Sequence, residues 1–255
     1  MIESASDRWQ EIFVLNELDY EEDGEFKLCK NVLKYPEKVR EFLEQGYWWS
    51  NEYSNCYRPG KTFSFGYNSG QMFVNLLLEF RKLYQRNLNP VEIYGNCFNG
   101  NMRLSNMRSI LPHVDSDVAD EMGVAFNLNL TENMYNHIVT DNGAAIVTMP
   151  PSVFDSNQVM TSFWSWKNKK SSYSLSEKEI VEANTFFDQQ NETVKGNKWI
   201  QIDNQYGNFK MESVAEIGYN DMIIYPSHYW HNVYMKENWF QNTDRVTLTG
   251  FFAVS

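Results

Sequence analysis

Cysteine is scarce in this sequence, and positive charge is outnumbered. Cys29, Cys56 and Cys97 are the 3 cysteines in 255 residues. An odd number with no CxxC spacing argues against both a disulfide framework and a thiolate zinc site. Reduced thiols in a cytoplasmic protein are therefore expected. Lys and Arg total 22 against 33 Asp and Glu, giving a net charge of −11. Affinity for nucleic acid comes largely from Lys and Arg displacing counterions from phosphates, so no nucleic-acid partner is expected. No apolar run is long enough to cross a bilayer, and Met1 to Phe13 lacks the apolar stretch of an export signal. Neither membrane insertion nor export is expected. Internal repeats and low-complexity tracts are absent from the sequence as well.

What the chain does have is material for a core: 42% hydrophobic and 16% aromatic residues, too many for a disordered protein. At this length one β-rich domain with helical additions is the simplest organisation. Residues 1–90 read as mainly helical. Pro36 stands at a first helical position, Val39, Phe42 and Leu43 recur at helical spacing, and Gly46 is placed to end the segment. After Ser69-Gly70, a stripe of Met72, Phe73, Leu76, Leu77, Phe80, Leu83 and Tyr84 predicts a second helix, broken at Asn87 to Pro90.

From Val91 the period changes to two. Val91 to Phe98, Met102 to Leu111, Gly123 to Leu130 and Ala144 to Met149 read as strands. Strands resume at Phe209 to Ile217, Met222 to Tyr225, Asn232 to Tyr234 and Arg245 to Val254. Between the two sets, residues 151–207 are polar, carry the lysines Lys167, Lys169 and Lys170, and read as an insertion. It holds one helix, started by a capping box of Ser176 and Glu179 and running through Phe187. The fold class is thus expected to be α+β, mainly β, with its β core in residues 91–150 and 208–255.

Three groups of residues carry chemistry. His113-Val114-Asp115 sets an imidazole and a carboxylate two positions apart, on one face of an extended backbone, as two adjacent ligands of one metal require. About 110 residues later, Pro226-Ser227-His228-Tyr229-Trp230-His231 offers a second imidazole. Two histidines and one carboxylate on one face of a metal leave open positions for a bidentate co-substrate and dioxygen, an arrangement suited to Fe(II). His228 is the rival of His231 for this role. Arg245, Thr247 and Thr249 share one face of a strand. An inward guanidinium needs an anion, matches a carboxylate bidentately, and is helped by a neighbouring hydroxyl. Tyr94, Asn96, Asn127 and Asn129 either reach the same pocket or face solvent, as polar residues on the face of a barrel as often do.

The ordered set His113-x-Asp115, His231, Arg245-x-Thr247 resembles the motif of the Fe(II)- and 2-oxoglutarate-dependent oxygenases, whose core is the double-stranded β-helix, a jelly-roll or cupin-like fold. The approach Gly218 to Tyr225, followed by Pro226-Ser227-x-x-x-His231-x-Val233, is similar to that family's entry to its distal histidine. Asn31 to Gly60, with Tyr57-Arg58-Pro59-Gly60, resembles a subgroup from bacteria and phages of unassigned substrate. The resemblance covers most of the chain outside 151–207. It implies iron held by His113, Asp115 and His231. It also implies 2-oxoglutarate bound by Arg245 and Thr247 with Tyr94 and Asn127, dioxygen as second co-substrate, and N-terminal helices packed on the β-helix. Because Asp115 is present where related halogenases have a small residue, hydroxylation or desaturation is implied.

Two other functions remain open on the residues alone: a non-catalytic cupin-like domain that binds metal and ligand, and a metal-dependent hydrolase using zinc-bound water. The Arg245-x-Thr247 pair favours the oxygenase, because a structural metal needs no co-substrate anchor. The expected partner is a small-molecule or peptide substrate. Tyr47, Trp48, Trp49 and Tyr53 are expected to pack, and His137 to be exposed.

Overall fold

The computed structural model describes residues 5–23, 26–45, 49–50, 61–65, 69–98, 123–131, 138–139, 146–147, 159–166, 199–200, 209–227, 229–236 and 245–254. Its helices are α1 (Ala5–Ile12), α2 (Pro36–Gln45), α3 (Ser69–Met72) and α4 (Val74–Tyr84). The strands are β1 (Tyr20–Asp23), β2 (Phe26–Cys29), β3 (Trp49–Ser50), β4 (Lys61–Ser64), β5 (Leu88–Phe98), β6 (Val124–Asn129), β7 (Ile138–Val139), β8 (Ile146–Val147), β9 (Val159–Trp166), β10 (Trp199–Ile200), β11 (Phe209–Ile217), β12 (Met222–Pro226), β13 (Trp230–Lys236) and β14 (Arg245–Val254). An eight-stranded sheet runs β1-β2-β12-β6-β14-β5-β4-β3, a four-stranded sheet runs β10-β13-β9-β11, and β7 pairs with β8. Every pairing between strands is antiparallel. The fold is α+β and mainly β, as the period of two predicts.

Each helix that the apolar spacing marks buries that stripe against one face of the large sheet. On α2, Val39 and Leu43 are buried; on α4, Leu76, Leu77 and Phe80 are. Phe80 meets Phe252 of β14 edge-on at 5.1 Å and Phe126 of β6 at 5.8 Å, geometries that aromatic quadrupoles favour. Trp9 anchors the other end of this layer. It is fully buried, stacks on Phe13 at 5.0 Å, meets Phe65 at 4.7 Å, and donates Nε1–H to the Met72 carbonyl at 2.9 Å. That carbonyl lies at the end of α3, where the helix stops bonding its own backbone. Gly250 lets β14 cross this layer: a Cβ there would stand 2.7 Å from Ile93 Cγ1 and 2.9 Å from the Glu92 carbonyl oxygen.

Three features add to the expectations. Beside its helices, residues 1–90 contribute strands: the β1–β2 hairpin joins the large sheet through β12, and β3 and β4 extend its other edge. Their short, charged strands such as Tyr-Glu-Glu-Asp carry little intrinsic strand preference, and the neighbouring strands supply it. The helical stripe ends before Asn87 as expected, with α4 stopping at Tyr84, but β5 begins at Leu88 and not at Val91; it takes in Pro90 where the register against β14 shifts between Phe251 and Phe252, and a bulge is where a sheet tolerates proline. Lastly, β9 falls inside the stretch read as an insertion, yet it pairs with both β11 and β13 as an inner strand of the small sheet. The predicted strand Met102 to Leu111 and the helix of Ser176 to Phe187 lie outside the described residues, as do Gly46, Tyr47, Trp48, Tyr53, His137, Lys167, Lys169 and Lys170. Among the described residues no helix is long and apolar enough to cross a membrane.

The turn from β11 to β12 locks the N-terminal hairpin to the sheet. Asn220 takes the left-handed conformation with φ 63°. Its buried amide accepts from Leu33 N–H at 2.9 Å and donates to the Leu33 carbonyl at 2.8 Å and to Asn31 Oδ1 at 2.9 Å. Asn220→Ala is expected to lower unfolding free energy by about 2–4 kcal/mol, since it strands buried backbone groups and removes the short polar side chain whose local hydrogen bonds let asparagine tolerate left-handed space. Asn220→Gly should recover about 1 kcal/mol of that loss. Urea denaturation of the two variants measures both; equal stability of the two would remove the backbone share of the argument.

Candidate functional site

Alternation divides β14 between two environments. Val246, Leu248 and Phe252 enter the core under the helices, while Arg245, Thr247, Thr249 and Phe251 face the opposite side. The register brings neighbours to that second side. Thr247 lies between Asn96 of β5 and Asn129 of β6; Thr249 lies between Tyr94 and Asn127; Phe251 lies beside Ala125. Tyr225 of β12 stands across from Ala125. Of the predicted anion-site residues, Arg245, Thr247, Tyr94 and Asn127 therefore share one face of three adjacent strands. All four are buried.

Arg245 is 4% exposed. Burial alone holds its guanidinium below the ordinary arginine value, down to about 10. None of the ion pairs among the described residues involves it. Two residues along, Thr247 is fully buried and its Oγ1 has no hydrogen-bond partner among the described residues; Asn127 Oδ1 and Asn96 Oδ1 are likewise buried without one. Buried polar groups are nearly always satisfied, so a cation without a counter-charge among the described residues, beside an unsatisfied hydroxyl, describes a site suited to something else entering. A carboxylate is the chemistry that matches: it accepts bidentately from a guanidinium and accepts again from a hydroxyl.

Asn129, expected to reach the pocket with Asn127, does not serve it. Its Nδ2 donates to the Ile217 carbonyl at 3.0 Å and its Oδ1 accepts from Thr131 N–H at 2.8 Å. It joins β6 to the end of β11 and thus the large sheet to the small one. Thr131 in turn clamps the start of β14: Val246 N–H donates to its Oγ1 at 3.1 Å, and that hydroxyl donates to the Val246 carbonyl at 3.2 Å. Arg40 of α2 caps the end of β6 by donating to the Leu130 carbonyl at 2.9 Å. These residues place Arg245. Sequence reasoning missed the Thr131 clamp, whose only trace is a threonine after an alternating strand.

His231 lies near the start of β13, where the chain leaves the large sheet for the small one. The turn closes with Tyr229 N–H donating to the Pro226 carbonyl at 3.0 Å. His231 is 6% exposed, and its ring lies 4.9 Å from that of Tyr225. Its Nδ1 is 2.9 Å from the Tyr229 carbonyl. A carbonyl can only accept, so Nδ1 carries the proton and the ring lone pair resides on Nε2, the nitrogen through which a metal binds an imidazole so oriented. Ile217, Ile223, Tyr229 and Phe251 pack with Tyr94 and Tyr225 into an apolar wall on this side of the sheet. His113, Asp115 and His228 lie outside the described residues. Among the described residues no three His, Cys, Asp or Glu side chains form a metal-binding group.

No protein-family model matches the chain, and no curated protein matches it. Solved structures resemble it at low similarity. A structure of HygX from Streptomyces hygroscopicus with nickel and 2-oxoglutarate bound is 12% identical, with 91% of this chain and 83% of that chain covered and a TM-score of 0.46. The non-heme alpha ketoglutarate dependent epimerase SnoN from nogalamycin biosynthesis is 9% identical over 98% of this chain and 82% of that one, at a TM-score of 0.46. The carbocyclase SnoK from the same biosynthesis is 8% identical over 99% and 83%, at 0.47.

A guanidinium taken out of water, with no ion pair among the described residues, destabilises the chain that holds it. Replacing it with an apolar side chain of similar length, Arg245→Met, is expected to raise stability by about 1–3 kcal/mol in the absence of ligand. The depressed value also fixes a pH dependence. With the folded group near 10 and the unfolded one higher, the penalty is fully present below about 10 and is relieved as pH rises above it. Urea midpoints of wild type and Arg245→Met between pH 7 and 10.5 check this: the variant's advantage should persist to pH 9 and begin to shrink beyond 10.

Proposed function

We propose that this chain is an Fe(II)- and 2-oxoglutarate-dependent oxygenase on a double-stranded β-helix core. His113, Asp115 and His231 hold the iron, and Arg245 and Thr247, with Tyr94 and Asn127, receive 2-oxoglutarate. The observation that carries this reading is Arg245, buried without an ion pair among the described residues, beside the unsatisfied Thr247 hydroxyl. A structural metal or a zinc hydrolase has no use for a buried cation of this kind, whereas a dicarboxylate co-substrate needs one at its far end. The proton on His231 Nδ1 supports the reading, because it leaves the other ring nitrogen basic for a metal.

The iron supplies the activation of dioxygen and the oxidising power when bound. The residues of the chain do the rest. Arg245 and Thr247 fix the co-substrate by its distal carboxylate, which sets the reach of its 2-oxo end. Tyr225, Tyr229 and Phe251 keep water from the His231 side. The substrate is a small molecule or a peptide side chain, met in the cytoplasm, and with Asp115 as a ligand the outcome is hydroxylation or desaturation.

The test is a 2-oxoglutarate titration of Fe(II)-loaded protein under anaerobic conditions, followed by calorimetry and by the visible charge-transfer band of a chelated 2-oxo acid. Arg245→Ala should weaken 2-oxoglutarate by about a hundredfold or more, because a charged partner is deleted in a desolvated site. Its iron content should match wild type. Asp115→Ala and His231→Ala should lose iron, and His228→Ala should keep it. Unchanged 2-oxoglutarate affinity in Arg245→Ala would falsify the co-substrate assignment, and iron loss in His228→Ala but not His231→Ala would move the distal ligand.

A further inference from the structure

The pocket holds a second polar pair that the reading above leaves unused. Asn96 and Thr249 are diagonal neighbours across β5 and β14, with the Asn96 amide 3.4 Å from Thr249 Oγ1. The contact has Nδ2 toward the hydroxyl, which leaves Asn96 Oδ1 buried with no partner among the described residues. Amide nitrogen and oxygen have the same shape, and a hydroxyl rotates to donate or to accept, so the chemistry of the surroundings decides which end faces which.

The surroundings favour the reverse. With Oδ1 turned inward, an acceptor faces a pocket whose ligand, a carboxylate, also offers only acceptors. Nor does Arg245, the neighbour of Asn96 on the other diagonal, hydrogen-bond that oxygen. Turning the amide by half a rotation satisfies the oxygen with no change in packing and leaves the nitrogen for a ligand to satisfy. Thr249 Oγ1–H then donates to Asn96 Oδ1, and Nδ2 faces the pocket as a donor.

We propose that Thr249 is a positioning residue: its hydroxyl fixes the Asn96 amide with the oxygen held and the nitrogen presented to the pocket, where it becomes a further donor to the bound anion beside Arg245 and Thr247. The ligand part of this inference rests on the 2-oxoglutarate reading, whereas the amide orientation does not. The arrangement favours dicarboxylates, because a donor deep beside the guanidinium rewards a ligand with a carboxylate at that end.

Two measurements test it. The first is an atomic-resolution crystal structure of the wild-type protein, in which nitrogen and oxygen of Asn96 are distinguished. Nitrogen turned away from Thr249 is expected; nitrogen on Thr249 overturns the proposal whatever the co-substrate is. The second is the anaerobic Fe(II) titration with 2-oxoglutarate. Thr249→Val should weaken binding by about tenfold through the lost orientation, with iron content unchanged, and Thr249→Ser should restore wild-type affinity. If Nδ2 were instead held on Thr249, Thr249→Val would release the amide to turn its nitrogen inward, and affinity would hold or tighten; that outcome sinks the proposal. Wild-type protein that fails to bind 2-oxoglutarate while its Asn96 nitrogen faces the pocket would remove the co-substrate reading and leave the amide arrangement standing.

Discussion

One buried charge governs this structure. Arg245 opens β14, and β14 is paired on both sides, with β5 and with β6. A guanidinium in that position cannot swing to water without unpairing the strand that carries it. Its burial lowers its proton affinity, and none of the ion pairs among the described residues involves it, so the free protein holds a charge under strain of desolvation. Proteins keep such strain at sites that a ligand relieves. The orphan Thr247 hydroxyl on the same face belongs to the same unfinished arrangement.

Holding that charge in place requires a frame that does not slip. A shift of one residue in β14 would move Arg245 into the aromatic layer under the helices and bring Val246 into the pocket, since successive side chains point to opposite faces. Thr131 prevents this by bonding both the N–H and the carbonyl of Val246. Asn129 holds Thr131 through its N–H and at the same time grips the Ile217 carbonyl, so the register of β14 is tied to the end of β11 in the small sheet. Asn220 closes the adjoining turn and carries the tie out to the N-terminal hairpin. A chain of three short polar side chains thus sets the position of one long one.

Half of this was legible in the sequence, and the physical reason is periodicity. The alternation Arg245-x-Thr247-x-Thr249 and the run Gly123 to Leu130 show which residues share a face, because a strand half in a core and half in a pocket must alternate. The apolar stripes of α2 and α4 were legible for the same reason. What could not be read is whatever depends on contacts distant along the chain. Asn127 and Asn129 are the same residue on the same face two positions apart; one lines the pocket and the other is consumed by the Ile217 carbonyl, 88 residues away. The β1–β2 hairpin and β9 are strands because partners far along the sequence pair with them, and neither has the apolar alternation that would announce it. His231 was legible as a candidate through its spacing from Pro226, but the hydrogen bond that sets its tautomer arises only from the turn.

The layout of the pocket bears on the size of what enters it. Arg245, Thr247 and Thr249 follow one another along β14 at a rise of about 3.3 Å per residue, so the polar row runs on for several residues beyond the guanidinium. It ends at the aromatic wall of Phe251, Tyr225 and Tyr229, against which His231 lies. The unsatisfied atoms along this row are of two kinds: the Thr247 hydroxyl beside the guanidinium, and the amide oxygens of Asn96 and Asn127. With the amides as they stand, the row suits an anion at its head and hydrogen-bond donors behind it; with the amides turned, it suits acceptors throughout. A compact inorganic anion would satisfy Arg245 and Thr247 but reach no further, so the length of the row, and not any single contact, is what distinguishes an extended ligand from a small anion.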